Sequence, residues 1–249
     1  MKNESYYGGK SGDGHYQQII NLIPPHSAFI EPFGGKVGIF RHKKPSHKTF
    51  IIERDARLEE YYKKIGVERC HHLDAFKNRL IKTGPGAYYI IGDALEILDD
   101  AYLLFDRIDH YLYVDPPYLL KSRKDNRPTY KYELTDEDHR DLLETLKGFS
   151  QSKIGISTYP NELYTDALAE RDGWDFVEIS AQTRHGRVIE NFWMNYAIPN
   201  ELHDYRYLGT NYREREDITR KQKRWRDKFI KMPMLERRAM IETLLATIG

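Results

Sequence analysis

Residues 111–118 read Tyr-Leu-Tyr-Val-Asp-Pro-Pro-Tyr, and this octapeptide decides how the rest of the chain is read. Four apolar, β-favouring residues end on a carboxylate, and two prolines then forbid continuation of the strand. The same ending recurs upstream. Residues 87–91 run into Gly92-Asp93, residues 49–53 end on Glu53 before Arg54-Asp55, and 28–31 lead into Pro32-Phe33-Gly34-Gly35. Helical periodicity fills the gaps, over 15–23 (stopped by Pro24-Pro25), 56–65 and 74–82. Downstream, 136–149 is a predicted helix with Thr135 as its cap and Asp138 three residues on, followed by a strand at 154–157 and a helix at 162–171. Strands at 176–179 and 191–198 flank a polar turn region, 181–190, which predicts a hairpin. Strand–helix alternation predicts an α/β fold, a mostly parallel sheet covered on both faces and closed by an antiparallel terminal hairpin.

The whole chain has 249 residues, 31% charged and 40% hydrophobic, which fits one large globular domain with a short appendage. No uninterrupted apolar run exceeds five residues, so neither a transmembrane helix nor a secretory signal peptide is expected. Cys70 is the single cysteine, which excludes an internal disulfide framework and a cysteine-rich zinc site, and predicts a reducing, cytoplasmic setting. Net charge is +1, but it is unevenly distributed. Residues 201–249 hold 12 Lys+Arg against 8 Asp+Glu, net +4, and the residues before them 27 against 30, net −3. Seven of the cations fall between Arg220 and Lys231, with Trp225 and Phe229 one helical turn apart among them. The expected organisation is a body, 1–199, and a basic helical extension, 200–249. The extension reads either as a phosphate-contacting helix or as an amphipathic helix packing its apolar side on the body.

Open parallel sheets bind ligands at the carboxyl ends of their strands, near the point where strand order reverses. Gly34-Gly35 allows close backbone approach there. Glu53 stands where nucleoside-binding α/β folds place a carboxylate on ribose hydroxyls. At Asp115-Pro116-Pro117-Tyr118, the carboxylate and the Pro116 carbonyl can both accept from one exocyclic amino group, while Tyr118 stacks on the ring that bears it. Each feature alone is as easily a turn or a helix cap. Four in order on successive strands point to one ligand site.

Together these motifs carry a resemblance. Tyr6-Tyr7-Gly8-Gly9-Lys10, Glu31-Pro32-Phe33-x-Gly35, Glu53, Asp93, Asp115-Pro116-Pro117-Tyr118, Glu133-Leu134-Thr135-x-x-Asp138-His139, Ile156-Ser157-Thr158 and the stretch from Thr183-Arg184 to Tyr196 resemble, in this order over about residues 5–200, the D12 class of DNA adenine-N6 methyltransferases, the family of the Dam methylase. The resemblance implies a Rossmann-like class I S-adenosylmethionine-dependent methyltransferase fold and methyl transfer to the N6 amino group of a flipped-out adenine in DNA. It implies no metal and no membrane. Asp115, Pro116, Pro117 and Tyr118 would then be catalytic, and Tyr6, Lys10, Glu31, Pro32, Phe33, Gly35, Glu53 and Asp93 would hold S-adenosylmethionine. Lys121, Arg123 and Lys124, in a basic and aromatic loop over 119–132, are expected to contact nucleic acid, as are Arg184, Arg187, Lys221 and Arg224. Two departures stand out. Where the family often has a further glycine two residues after Gly35, this chain has Val37, then Gly38. Dam-type members also insert a target-recognition domain between the ribose acid and the adenine acid, whereas 39 residues separate Glu53 from Asp93 here. The reader of sequence is therefore reduced, absent or replaced, and a specificity partner docking on the C-terminal extension is one replacement. The corner chemistry also suits RNA adenine or another exocyclic amine, and a silent nucleic-acid-binding protein on the same fold is the reading from a different class.

Overall fold

The structure is a computed structural model that describes residues 14–82, 84–169, 173–183 and 186–247. Its strands are β1 (Ala28–Glu31), β2 (Lys48–Glu53), β3 (Glu68–Cys70), β4 (Gly86–Ile91), β5 (His110–Val114), β6 (Lys153–Thr158), β7 (Asp175–Thr183) and β8 (Gly186–Met194). They form one sheet in the order β3-β4-β2-β1-β5-β6-β8-β7. The first six are parallel, and β8 and β7 are antiparallel. Helices α1 (His15–Ile20), α2 (Gly38–His42), α3 (Glu59–Lys64), α4 (Leu73–Ile81), α5 (Ala94–Asp100), α6 (Tyr102–Phe105), α7 (Asp136–Gly148) and α8 (Glu162–Leu168) fill the crossovers.

Burial on both faces explains the continuous apolar strands. All five residues of β5 and all four of β1 are buried. In β2 the two-residue period divides the core: Phe50 and Ile52 join Phe76, Phe105, Leu142 and Leu146 on one face, while Ile51 packs with Val37, Tyr62 and Tyr89 on the other. α7 presents His139, Leu142, Leu143 and Leu146 inward, and begins on a Thr135–Asp138 capping box. Strand order reverses on either side of β1, which pairs with β2 and β5, so a crevice opens at the ends of these strands. This is the expected Rossmann-like architecture, a mostly parallel sheet with an antiparallel terminal hairpin, with β3 as an added edge strand.

β3, α2, α5 and α6 have no counterpart among the elements expected from the sequence, and three boundaries also differ. The region 181–190, read as a turn, is mostly paired strand, since the β7–β8 ladder runs from Asp175↔Met194 to Thr183↔Gly186. Val188 and Ile189 supply the β-branched residues for it. The second strand ends at Met194, not at 198, because the Asn195 side chain turns to accept from Ile154 N–H at 2.7 Å and donate to the Ser152 carbonyl at 2.9 Å. The boundary near Pro199 also moves. The chain divides between Tyr205 and Arg206. Leu202 is buried, His203 N–H donates to the Ile23 carbonyl at 3.0 Å, and the buried Asp204 carboxylate accepts from Lys44 N–H at 2.7 Å.

The second unit holds α9 (Tyr212–Lys231) and α10 (Met234–Leu245), interrupted at Pro233. Asn211 caps α9 and Arg220 pairs with Glu216 one turn away. No residue of either helix is buried, and Trp225 is 61% exposed. No helix among the described residues is long and apolar enough to cross a membrane.

The amino-end side of the sheet carries half-buried histidines. His26 stacks on His203 at 3.8 Å, and its ring nitrogens meet the Pro24 carbonyl and Ser46 Oγ, both at 2.8 Å. Burial, reinforced by the Lys43 charge, lowers the pKa of His26 to about 2 and that of His203 to about 4. Burial also lowers His139 to about 4, and lowers His110. These rings are neutral in the fold, while in the unfolded chain they protonate below about pH 6.5. The stability they contribute is full above that value and is lost as pH falls through the folded-state values. Glu31 and Glu53, whose pKa burial raises, act in the opposite sense, but two carboxyls face four imidazoles. The melting temperature is expected to fall steadily from about pH 7 to about pH 5 in scanning calorimetry. A flat profile there would show that these rings are solvated.

Candidate active site

The crevice at the strand ends holds a cavity of ≈ 550 Å³, within the usual range for a small-molecule site. Every strand end singled out in the sequence contributes. After β1 come Glu31, Pro32, Phe33, Gly34 and Gly35; after β2, Glu53, Arg54, Asp55 and Arg57; after β4, Gly92 and Asp93; after β5, Asp115 and Pro117. The remaining wall is Gly38, Ala94, residues 128–132 and Leu134. Tyr6, Lys10 and Arg184 lie outside the described residues.

The glycine loop is seated tightly. A Cβ on Gly34 would stand 2.5 Å from Ile51 Cγ2 and from Tyr62 Oη, so only glycine lets the loop rest on β2. Gly35 has φ 51°, and its N–H donates to Glu53 Oε2 at 2.7 Å. Val37 has φ 45° and ψ 51°, the left-handed conformation that the family's glycine would adopt freely. In a β-branched residue that conformation costs about 1–2 kcal/mol, and the fully buried Val37 side chain offsets it by packing under β2.

The acids have distinct environments. Glu53 is 8% exposed, and Asp55 N–H donates to its Oε1 at 2.6 Å. Burial raises its pKa, and the Asp55 and Gly35 amides oppose this. The Arg54 amide approaches the carboxylate as well, and three backbone N–H groups leave acceptor capacity for a ligand hydroxyl. Glu31 is 2% exposed, and its Oε2 has no hydrogen-bond partner among the described residues. Burial first, and then the neighbouring Asp115 charge, holds the Glu31 carboxyl well above the usual range. Asp93 Oδ1 caps α5 by accepting from Leu95 N–H at 2.9 Å, and its Oδ2 pairs with Arg54 at 3.1 Å. Asp55 is held down to about 2 by its hydrogen bonds with Arg57 and, further out, Lys131.

Arg54, Arg57 and Lys131 are cavity residues that the sequence reading passed over. Arg54 stood inside a motif as a spacer, and Lys131 stood in a loop assigned to the target strand. The loop lies differently from that assignment: its 128–132 part walls the cavity, with Lys131 on Asp55 at 3.1 Å and Tyr132 under both Arg54 and Lys131. Arg123, expected on phosphate, is 6% exposed and its guanidinium is taken up by Glu133, the Tyr118 carbonyl and loop groups. A cation this enclosed and paired does not reach a phosphate. Lys121 is exposed and pairs with Asp136 at 2.7 Å; Lys124, Arg187, Lys221 and Arg224 are exposed.

Tyr118 also departs from its expected place. It is 5% exposed, donates to Glu190 Oε2 at 2.9 Å, and meets Tyr159 edge-on at 4.5 Å. Its ring is not among the groups lining the cavity. Glu190 also meets His15 Nε2 at 3.0 Å, and neither residue was singled out in the sequence. His139 lies fully buried, with Nδ1 on Tyr164 Oη at 2.9 Å and the Pro117 carbonyl beside it.

No family model and no curated protein matches this chain. Among solved structures, precorrin 8W decarboxylase from Methanobacterium thermoautotrophicum is 13% identical, covering 78% of this chain and 94% of that one at a TM-score of 0.43. A candidate SAM-dependent methyltransferase from Streptococcus mutans is 11% identical, covering 72% and 47% at 0.46. Spermidine synthase from Thermotoga maritima is 11% identical, covering 76% and 61% at 0.42. At these values the likenesses say nothing of reaction or substrate, which are read from the site itself.

Proposed function

We propose that this chain transfers the methyl group of S-adenosylmethionine to the N6 amino group of adenine in DNA. The observation that carries the reading is that Glu31, Glu53, Asp93 and Asp115, from four different strand ends, line one cavity. The residues present fit the donor. An adenosine diol, an exocyclic amine and an ammonium group all donate hydrogen bonds, and the cavity offers carboxylates to accept them. The orphaned Oε2 of Glu31 is an acceptor awaiting such a donor. Even with Glu31, whose ionisation burial disfavours, set aside, four carboxylates against three cations favour a ligand with positive charge.

S-adenosylmethionine, when bound, supplies a methyl group activated by its sulfonium. In this reading Glu53 accepts from the ribose hydroxyls, Asp93 from the adenine amine of the donor, and Glu31 from its ammonium. Asp115 and the Pro116 carbonyl accept from the two N6–H groups of the target. That draws the nitrogen lone pair out of conjugation with the ring and aims it along the line of attack. As positive charge grows on N6, the fixed Asp115 carboxylate stabilises it, and the surplus proton leaves by the same oxygen. The exposed cations Lys121, Lys124, Arg187, Lys221 and Arg224 are proposed to bind backbone phosphates.

The test is methyl transfer from labelled S-adenosylmethionine to DNA and to RNA, with nucleoside analysis of the product. N6-methyladenine formed in DNA is the expected result; methyl groups on RNA alone, or none, would overturn it. A chain ending near residue 210 is expected to retain transfer at low salt but to bind DNA more weakly. Its log K against log[salt] slope should flatten by roughly 0.9 for each phosphate that α9 no longer neutralises. An unchanged slope would remove α9 from the DNA interface.

A further inference from the structure

Arg123 is a buried charge with every arm engaged. Its Nε donates to the Tyr118 carbonyl at 2.8 Å, and Nη2 reaches the same oxygen. Nη1 donates to Glu133 Oε1 at 2.8 Å, and to the Arg127 carbonyl and Thr129 Oγ1 at 3.2 Å. Glu133 Oε1 also accepts from the backbone N–H groups of Thr129 and Tyr130, at 2.6 and 2.8 Å, and the Tyr130 ring lies 4.8 Å from the guanidinium. A buried ion pair is a weak source of stability, because desolvation offsets its attraction. A planar guanidinium does impose direction, since its fork fixes carboxylate and carbonyl in one plane.

That direction links two places. On one side, Tyr118 is held at both ends, its carbonyl by Arg123 and its hydroxyl by Glu190. On the other, Glu133 sets the backbone at Thr129 and Tyr130, which wall the cavity. The next residue, Lys131, is fastened to Asp55, whose own N–H donates to Glu53. Polar contacts therefore run from the acid assigned to the donor ribose, through the cavity wall, to the backbone of the catalytic corner.

We propose that Arg123 is a positioning residue that couples occupation of the methyl-donor cavity to the alignment of the Asp115–Tyr118 corner, an inference that rests on the methyltransferase reading. Donor-side binding steadies residues 128–132, and through Glu133 and Arg123 it steadies the peptide after Tyr118. The target base then meets a corner already in place.

The readout is DNA affinity of the full chain with and without saturating S-adenosylhomocysteine, for wild type and for Arg123→Lys. Lysine keeps a charge beside Glu133 but cannot span carboxylate and carbonyl together. In the wild type S-adenosylhomocysteine is expected to tighten DNA binding by about fivefold or more. In Arg123→Lys that ratio should fall to about one, and kcat should drop on the order of 10²-fold, as a corner displaced by about an ångström would require. A residue that only stabilises the fold would lower the melting temperature and leave the ratio and kcat unchanged, and that result overturns the proposal. Glu133→Gln, which keeps the shape and one acceptor oxygen, is expected to behave alike and decides the matter if Arg123→Lys does not fold. A wild type that fails to bind S-adenosylhomocysteine sinks the methyltransferase reading itself. One that binds it with no effect on DNA affinity sinks the coupling alone.

Discussion

Asp115→Ala is expected to lower kcat for methyl transfer by about 10³-fold or more, the scale of losing a preorganised charge-stabilising group together with its hold on the nucleophile. Binding of S-adenosylhomocysteine should change little, because Glu53 and Asp93 sit on other strand ends. The fold should survive, and the reason is electrostatic. Asp115 lies close enough to the fully buried Glu31 to raise its pKa. Burial already disfavours the Glu31 anion, and removing Asp115 takes away a charge that disfavours it further, so the melting temperature is expected to hold. Asp115→Asn keeps one acceptor oxygen and loses the charge, so it should fall between the two. Calorimetry, thermal melting and single-turnover kinetics on the three proteins check this, and full activity in Asp115→Ala would remove the corner from the mechanism.

Glu53→Ala carries the second large effect, on binding. The wild-type carboxylate organises the loop, receiving Gly35 N–H at 2.7 Å and Asp55 N–H at 2.6 Å. Without it both amides lose their partner at the cavity floor, and the ligand diol loses its acceptor. Hydrogen bonds to a charged group contribute about 1.5–3 kcal/mol each, so S-adenosylhomocysteine is expected to bind on the order of 10²-fold more weakly. Glu53→Gln should recover little of this, because its NH₂ faces N–H donors. Wild-type affinity should also weaken as pH falls toward the raised pKa of Glu53, since a protonated carboxyl accepts less well. Titration calorimetry of both variants provides the check, and wild-type affinity in Glu53→Ala would exclude Glu53 from the donor site.

Much of this site was legible because its acids lie directly at strand ends. In β2 and β5 an apolar run and its terminal carboxylate are contiguous, so recognising the strand also located the acid. Thr135 and Asp138 were equally readable, because a capping box closes within four residues. The loop over 119–132 was not. Arg123 is followed by Glu133 ten residues later, and nothing in that spacing distinguishes a phosphate-seeking arginine from one locked to a carboxylate. Lys131 and Asp55 are separated by 76 residues, and Tyr118 and Glu190 by 72. Such pairs form only once β2, β5 and β8 share one sheet. The hairpin was misjudged for a related reason: Val188 and Ile189 lie among polar residues, and their pairing depends on β7 opposite.

The strands β1, β2, β4 and β5, the acid at or just after the end of each and the glycine loop after the first were legible in the sequence alone. These depend on local propensity and covalent spacing, which act before any distant contact forms. Which charges remain available to a ligand was decided by the tertiary structure. Desolvation and pairing depend on distance in space, so the fold withdrew Arg123 from the surface, brought Arg54 and Lys131 to the cavity, and left Glu31 buried with an unpartnered oxygen.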